Sequence, residues 1–112
     1  MKLGREIDCF GRTSRVLSEI AEERRRQVEE EGWTPDHDDC HVDGELGEAA
    51  AAYAAIHDGA DTLWPFSDEW FKRTTRRRDL IKAGALIVAE IERLDRFEAR
   101  GQEGEPKERM WS

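Results

Sequence analysis

Six of the seven residues from 49 to 55 are alanine, the exception being Tyr53. Alanine is the best helix former, and a helix faced with methyl groups lets a neighbouring helix approach closely, because interaxial distance follows side-chain size. The segment therefore predicts a helix from Gly44 to His57, capped by Asp43, with Leu46, Ala49, Ala50, Tyr53 and Ala54 turned toward another helix. Two further helical patterns flank it. One runs from Thr13 or Ser14, good N-caps, to about Glu31, with an apolar stripe of Leu17, Ile20, Ala21 and Val28 and with Gly32 placed to end it. The other starts after Thr74 or Thr75 and continues to about Ala99, with Leu80, Ala83, Ile87, Ile91 and Leu94 in helical register and Leu86 and Val88 widening the stripe. The expected fold is all-α: three main helices in a bundle, completed by dimerisation because one apolar face is too broad for a monomer to cover.

The remaining segments divide the 112-residue chain. Residues 1–12 carry no period and read as a flexible arm; residues 13–100 form the helical domain. The polar stretch 101–112 reads as a disordered tail. Between the helices, residues 33–41 read as a connecting loop in which Pro35 opposes helix continuation. Residues 58–74 form a long loop with Leu63, Trp64, Pro65, Phe66, Trp70 and Phe71. Loops of that length are uncommon unless they serve a function or fold back over the core.

Charge narrows the possible partners. The formal net charge is −8 and the mean hydropathy −0.84, so attraction to a long nucleic acid is disfavoured by repulsion from its phosphates. The longest apolar run, Ala83 to Ala89, falls far short of the roughly 20 residues a membrane span requires. The N-terminal residues lack an apolar signal core. A cytoplasmic protein with Cys9 and Cys40 as reduced thiols is expected.

The helix pattern also places chemistry. Glu45 and Glu48 lie three residues apart at the start of the alanine-rich helix, and such positions are neighbours on a helix surface. Two adjacent carboxylates can share a divalent cation; equally, acids favour a helix N-terminus for electrostatic reasons alone. Lys72, Arg73, Arg76, Arg77, Arg78 and Lys82 put six cations into eleven residues around the start of the last helix. Such a field attracts phosphate, or else it pairs with the surplus acids of the first helix. Trp33, Trp64 and Trp70 could stack on a nucleobase, Trp64 foremost, or close a small core. The group His37, Asp38, Asp39, Cys40 and His41 gives only a weak zinc signal, because no Cys-x-x-Cys accompanies it.

Three segments carry a family resemblance: Ile20-Ala-Glu-Glu-Arg-Arg-Arg-Gln, Gly44-Glu-Leu-Gly-Glu-Ala-Ala, and Arg78-Asp-Leu-Ile-Lys-Ala-Gly-Ala-Leu. Together they make the chain resemble the all-α nucleoside triphosphate pyrophosphohydrolases of the MazG-like superfamily, especially small phage and prophage members. That resemblance implies a Mg²⁺ (or Mn²⁺) cofactor held by Glu-x-x-Glu on one helix and Glu-x-x-Asp on the next. Glu45 and Glu48 match the first pair and Asp79 the third acid, while Lys82 stands where the fourth would be. In this reading Glu45 and Glu48 are catalytic and, with Asp79, hold the metal. Arg76, Arg77, Arg78, Lys82 and Trp64 bind a nucleotide, and a (d)NTP is cleaved to (d)NMP and pyrophosphate. A second register, Glu19-x-x-Glu22 with Glu45-x-x-Glu48, keeps four acids but leaves the last helix without a ligand. The lysine at position 82 favours the alternative that the protein is a non-catalytic accessory binding a nucleotide or a basic protein partner.

Overall fold

A computed structural model describes residues 2–55 and 60–101, with side chains for residues 10–55 and 62–101. Four helices are present, with no strand among the described residues: α1 (Lys2–Glu29), α2 (Pro35–Asp38), α3 (Glu45–Ala54) and α4 (Arg76–Ala99). Two 3₁₀ turns, Ala60–Leu63 and Asp68–Trp70, interrupt the long loop. The helical bundle expected from the sequence is present, built on α1, α3 and α4. No helix among the described residues is long and apolar enough to cross a membrane.

Local chemistry sets most boundaries. Gly32 takes φ +78° and the Trp33 N–H reaches back to the Gln27 carbonyl at 3.0 Å, a left-handed glycine termination of α1. Thr75 caps α4 by accepting from the Arg78 N–H. Four boundaries differ from expectation. Helix α1 begins at Lys2 rather than Thr13, taking in the segment read as an arm. Gly4 and Gly11 each cost only about 1 kcal/mol inside a helix, and with no proline before position 35 nothing blocks propagation. Pro35 starts α2 instead of ending structure, because proline is well placed in the first turn and Thr34 caps it from the side chain. Asp43 does not cap α3. Gly44 is the N-cap, with φ +88°, and the Glu45 carboxylate accepts from the Asp43 N–H at 2.9 Å. The other end of α3 also differs: the helix stops at Ala54, with Ala55 extended, short of the expected His57, which like the tail from 102 onward lies outside the described residues.

Helix α3 lies antiparallel on α4. Arg76 and Arg73, at the start of α4, donate to the Ala54 and Ala55 carbonyls at the end of α3. The packed surface is alanine-lined on both sides: Ala49, Ala52, Ala85 and Ala89 are completely buried, with Leu46 and Leu86 between them. This corrects the expected stripe of α4. Leu80, Ile87 and Ile91 are about half exposed, and the buried face carries Ile81, Lys82, Ala83, Leu86, Ala89 and Arg93. Methyl-faced α3 fits closely only against the small-residue side of α4. Helix α1 departs further, since Leu17 and Ala21 are exposed and Glu23, Arg24 and Gln27 are buried. Its contact with α4 passes through Ile20 at Gly84, where a Cβ would stand 2.9 Å from Ile20 Cδ1.

Leu86 is completely buried, so Leu86→Ala should destabilise the fold by about 2–5 kcal/mol. Urea denaturation measures it, and a loss below about 1 kcal/mol would contradict the packing described.

Candidate functional site

Acids and bases of α1 and α4 meet in the interior. Glu23, 1% exposed, accepts from the Arg26 guanidinium at 2.9 Å through both oxygens, from Gln27, and from Arg78 across the interface. Burial alone would push its carboxyl up; hydrogen bonding and charge from Arg26 and Arg78 outweigh that and hold it below the usual range. Glu31 follows the same pattern. Burial opposes ionisation, and Arg26 at 3.0 Å and Lys72 at 3.2 Å overcome it. Asp79, 4% exposed, accepts from the Thr74 N–H at 2.9 Å with Arg73 3.7 Å away. Lys82 is buried, donates to the Lys72 carbonyl and stands 5.4 Å from the Tyr53 ring centre. Desolvation lowers its pKa, a shift only partly countered by Asp79. Three carboxylates are thus ringed by five cations, Arg26, Lys72, Arg73, Arg78 and Lys82, giving a locally positive centre in an acidic chain.

The aromatic loop closes this centre from one side. Trp64, 7% exposed, stacks on Phe71 at 4.8 Å and donates from Nε1 to the Ser67 carbonyl at 2.9 Å. The Tyr53 hydroxyl accepts from the Lys72 N–H at 2.9 Å, tying α3 to the loop. Beside these rings opens a cavity of about 390 Å³ lined by Glu31, Trp33, His37, Phe66, Ser67 and Trp70. Its size falls in the range of small-ligand pockets, and Lys72 lies over the Trp70 ring at its edge.

The residues singled out from the sequence fall in different places. Lys82 packs on Tyr53, so Tyr53 is level with the Asp79–Lys82 turn. Glu48 and Glu45 lie five and eight residues back along α3, roughly 7–8 Å and 12 Å away at 1.5 Å per residue. Glu48 is exposed whereas Asp79 is buried. Glu45 turns back on its own helix start, where backbone N–H groups, its own and that of Asp43, depress its pKa. Oxygens sharing a cation at about 2.0–2.6 Å must come much closer together. The structure does not unite Glu45, Glu48 and Asp79, and among the described residues no group of three or more His, Cys, Asp or Glu is arranged around a metal position. In the second register, Glu19 pairs with Arg77 at 2.7 Å and Glu22 with Arg25, so those acids serve as ion-pair partners.

The basic cluster is divided as well. Arg76 binds the Ala54 carbonyl, Arg77 Glu19, and Arg78 Glu23, so pairing with helix α1 accounts for two of the three arginines. Trp64 is enclosed by the core and offers no face to a base. Trp33 and Trp70 do border the pocket, together with Phe66. Glu23 and Glu31 are not singled out by the sequence because nothing in a polar helix face announces burial, and Asp38, grouped there with a weak zinc signal, is instead buried against Arg24. The Glu23–Arg26–Gln27 spacing at three and four residues was the available signal.

Carboxylates with lowered pKa stabilise the fold above their unfolded range and lose that contribution as pH falls through the folded pKa. Glu23, Glu31 and Asp39 are all lowered, so stability should be retained above about pH 4.5 and decline below it. Chemical denaturation across pH 3 to 7 tests this, and Glu23→Gln should flatten the acid-side slope. Compared with known proteins, the sequence matches no family model and no curated protein, and the fold matches no solved structure.

Proposed function

We propose that this protein binds a nucleotide, with the base in the Trp33–Phe66–Trp70 pocket and the phosphates against the cation-rich centre beside it. The observation that carries the reading is the adjacency of the two features. Aromatic walls of a 390 Å³ cavity suit any base face. The Glu31 carboxylate on the same wall can accept from a base N–H. Lys72 bridges Glu31 and the Trp70 ring, and with Arg26, which also reaches Glu31, it supplies positive charge at that wall for phosphate.

Cleavage of the nucleotide is the second reading, and the likeness of three segments to the pyrophosphohydrolases favours it. It requires Glu45, Glu48 and Asp79 to share Mg²⁺ or Mn²⁺, an arrangement the described geometry does not supply. A metal-activated water would then attack the α-phosphorus. One assay separates the readings: the protein is incubated with each (d)NTP and Mg²⁺ or Mn²⁺, and binding and pyrophosphate release are followed together. Binding without release is the expected result. Turnover abolished by Glu48→Gln would transfer the assignment to hydrolysis, and neither binding nor turnover would leave a basic protein partner for the acidic helix. Trp70→Ala, at a partly exposed ring, should weaken binding by about 1–3 kcal/mol, the contribution of one stacked base.

A homodimer belongs to the same proposal. Leu17 on α1 and Leu80, Ile87 and Ile91 on α4 are 42–59% exposed, and the last two share one face of α4. Apolar side chains left exposed along one helix face suit an interaction surface, and a second copy could cover them through a two-fold contact. Ile87→Lys together with Ile91→Lys should halve the mass found by light scattering; an unchanged mass refutes this arrangement.

A further inference from the structure

The segment after α1 brings two imidazoles into contact. His37 Nε2 and His41 Nε2 are 3.4 Å apart, and the rings meet edge-on with centres 4.7 Å apart. Each ring's other nitrogen faces a carboxylate. His37 Nδ1 lies 3.5 Å from Asp38 Oδ1, and His41 Nδ1 lies 3.9 Å from Glu45 Oε2. A carboxylate beside Nδ1 favours the proton there, which leaves the lone pair on Nε2. Two Nε2 atoms 3.4 Å apart are held either by a proton, one ring donating to the other, or by a metal ion between them.

The spacing identifies which cation fits. Two zinc–nitrogen bonds of about 2.0–2.1 Å at a tetrahedral angle separate the nitrogens by roughly 3.3–3.4 Å. Carboxylates on the remote nitrogens are the usual outer partners of metal-bound histidines, fixing tautomer and ring orientation. These partners are themselves held. Asp38 is completely buried and paired with Arg24 of α1, and Glu45 is anchored on the Asp43 N–H. Phe66 packs edge-on to the His41 ring at 5.0 Å, limiting its rotation. Both side chains remain partly exposed, 41% for His37 and 20% for His41, so an ion can enter from solvent.

We propose that His37 and His41 form a two-imidazole site for a borderline divalent cation of the zinc class, with water completing the coordination. Imidazole selects such ions over Mg²⁺ and Ca²⁺, so this site differs in chemistry from the carboxylate site implied by the family resemblance. His37 also lines the aromatic pocket, which puts the ion at the pocket wall. The inference does not depend on nucleotide binding.

The 112-residue chain, free of any affinity tag and stripped of metal with a chelator, is titrated with Zn²⁺ against a chromophoric zinc indicator at neutral pH, without nucleotide. One equivalent should bind. Affinity should drop at least about tenfold in His37→Ala and in His41→Ala, and about tenfold in Glu45→Gln through loss of the outer carboxylate. The neighbouring thiol should be irrelevant, so Cys40→Ser should bind like the parent. No competition with the indicator, binding that survives both histidine variants, or binding that requires Cys40 overturns the proposal. Should circular dichroism show a histidine variant unfolded, electron paramagnetic resonance of the parent with one equivalent of Cu²⁺ decides. Coupling to two imidazole nitrogens upholds the site, and an oxygen-only signal removes it.

Discussion

The Glu23 carboxylate is the point on which the packing of α1 depends. It sits in the interior at 1% exposure, where an unpaired charge costs several kcal/mol, and only Arg26, Gln27 and Arg78 make that position tolerable. Two of these partners come from its own helix and one from α4, so α1 cannot slide or rotate on α4 without stranding a charge. Arg24 and Asp38 make the same demand on α2. Buried ion pairs add little net stability compared with apolar packing, but these restrict α1 and α2 to one placement. Asp39 repeats the pattern nearer the surface, where Arg96 and Arg100 tie the end of α2 to the end of α4.

With α1 held through polar contacts, hydrophobic burial falls to a small set of residues. The methyl faces of α3 and α4 give a close but thin interface, and the loop between them supplies the bulk that the helices lack. Trp64, Phe66 and Phe71 pack onto Tyr53 and Trp33, and Tyr53 anchors the loop backbone through its hydroxyl. A loop used as core leaves irregular space at its margin, and the cavity between Trp33, Phe66 and Trp70 is that space. The candidate site is therefore a consequence of how the core is completed, and it borders the charged centre because Glu31 belongs to both.

Element identity was readable along most of the chain; orientation was not. Thr75 as the cap of α4, its end at Ala99, the Gly32 termination of α1 and the helical run of alanines all follow from caps and propensities, which act within a few residues. The α4 stripe of Leu80, Ile87 and Ile91 failed as a guide to burial because periodicity shows that an apolar face exists and not which neighbour covers it. In α1 the error was larger: the apolar Leu17 and Ala21 face outward and a glutamate, an arginine and a glutamine face inward. No composition rule anticipates a charged core whose compensating partners lie 14 and 55 residues away.

Site chemistry divides in the same way. The amino-acid sequence by itself determined an all-α chain with the Gly32 end of α1 and both ends of α4, an acidic protein carrying one basic stretch, and an aromatic loop too rich to be a plain connector, because each of these is a local or additive property. Tertiary structure alone decided that Glu45, Glu48 and Asp79 do not meet, that Trp64 is core while Trp33 and Trp70 edge a cavity, and that His37 and His41 face each other with a carboxylate behind each ring. Those outcomes depend on relative rotation and axial register of helices, quantities set by the pairing of distant charges and the fit of small side chains, and such long-range terms leave no periodic trace in the order of residues.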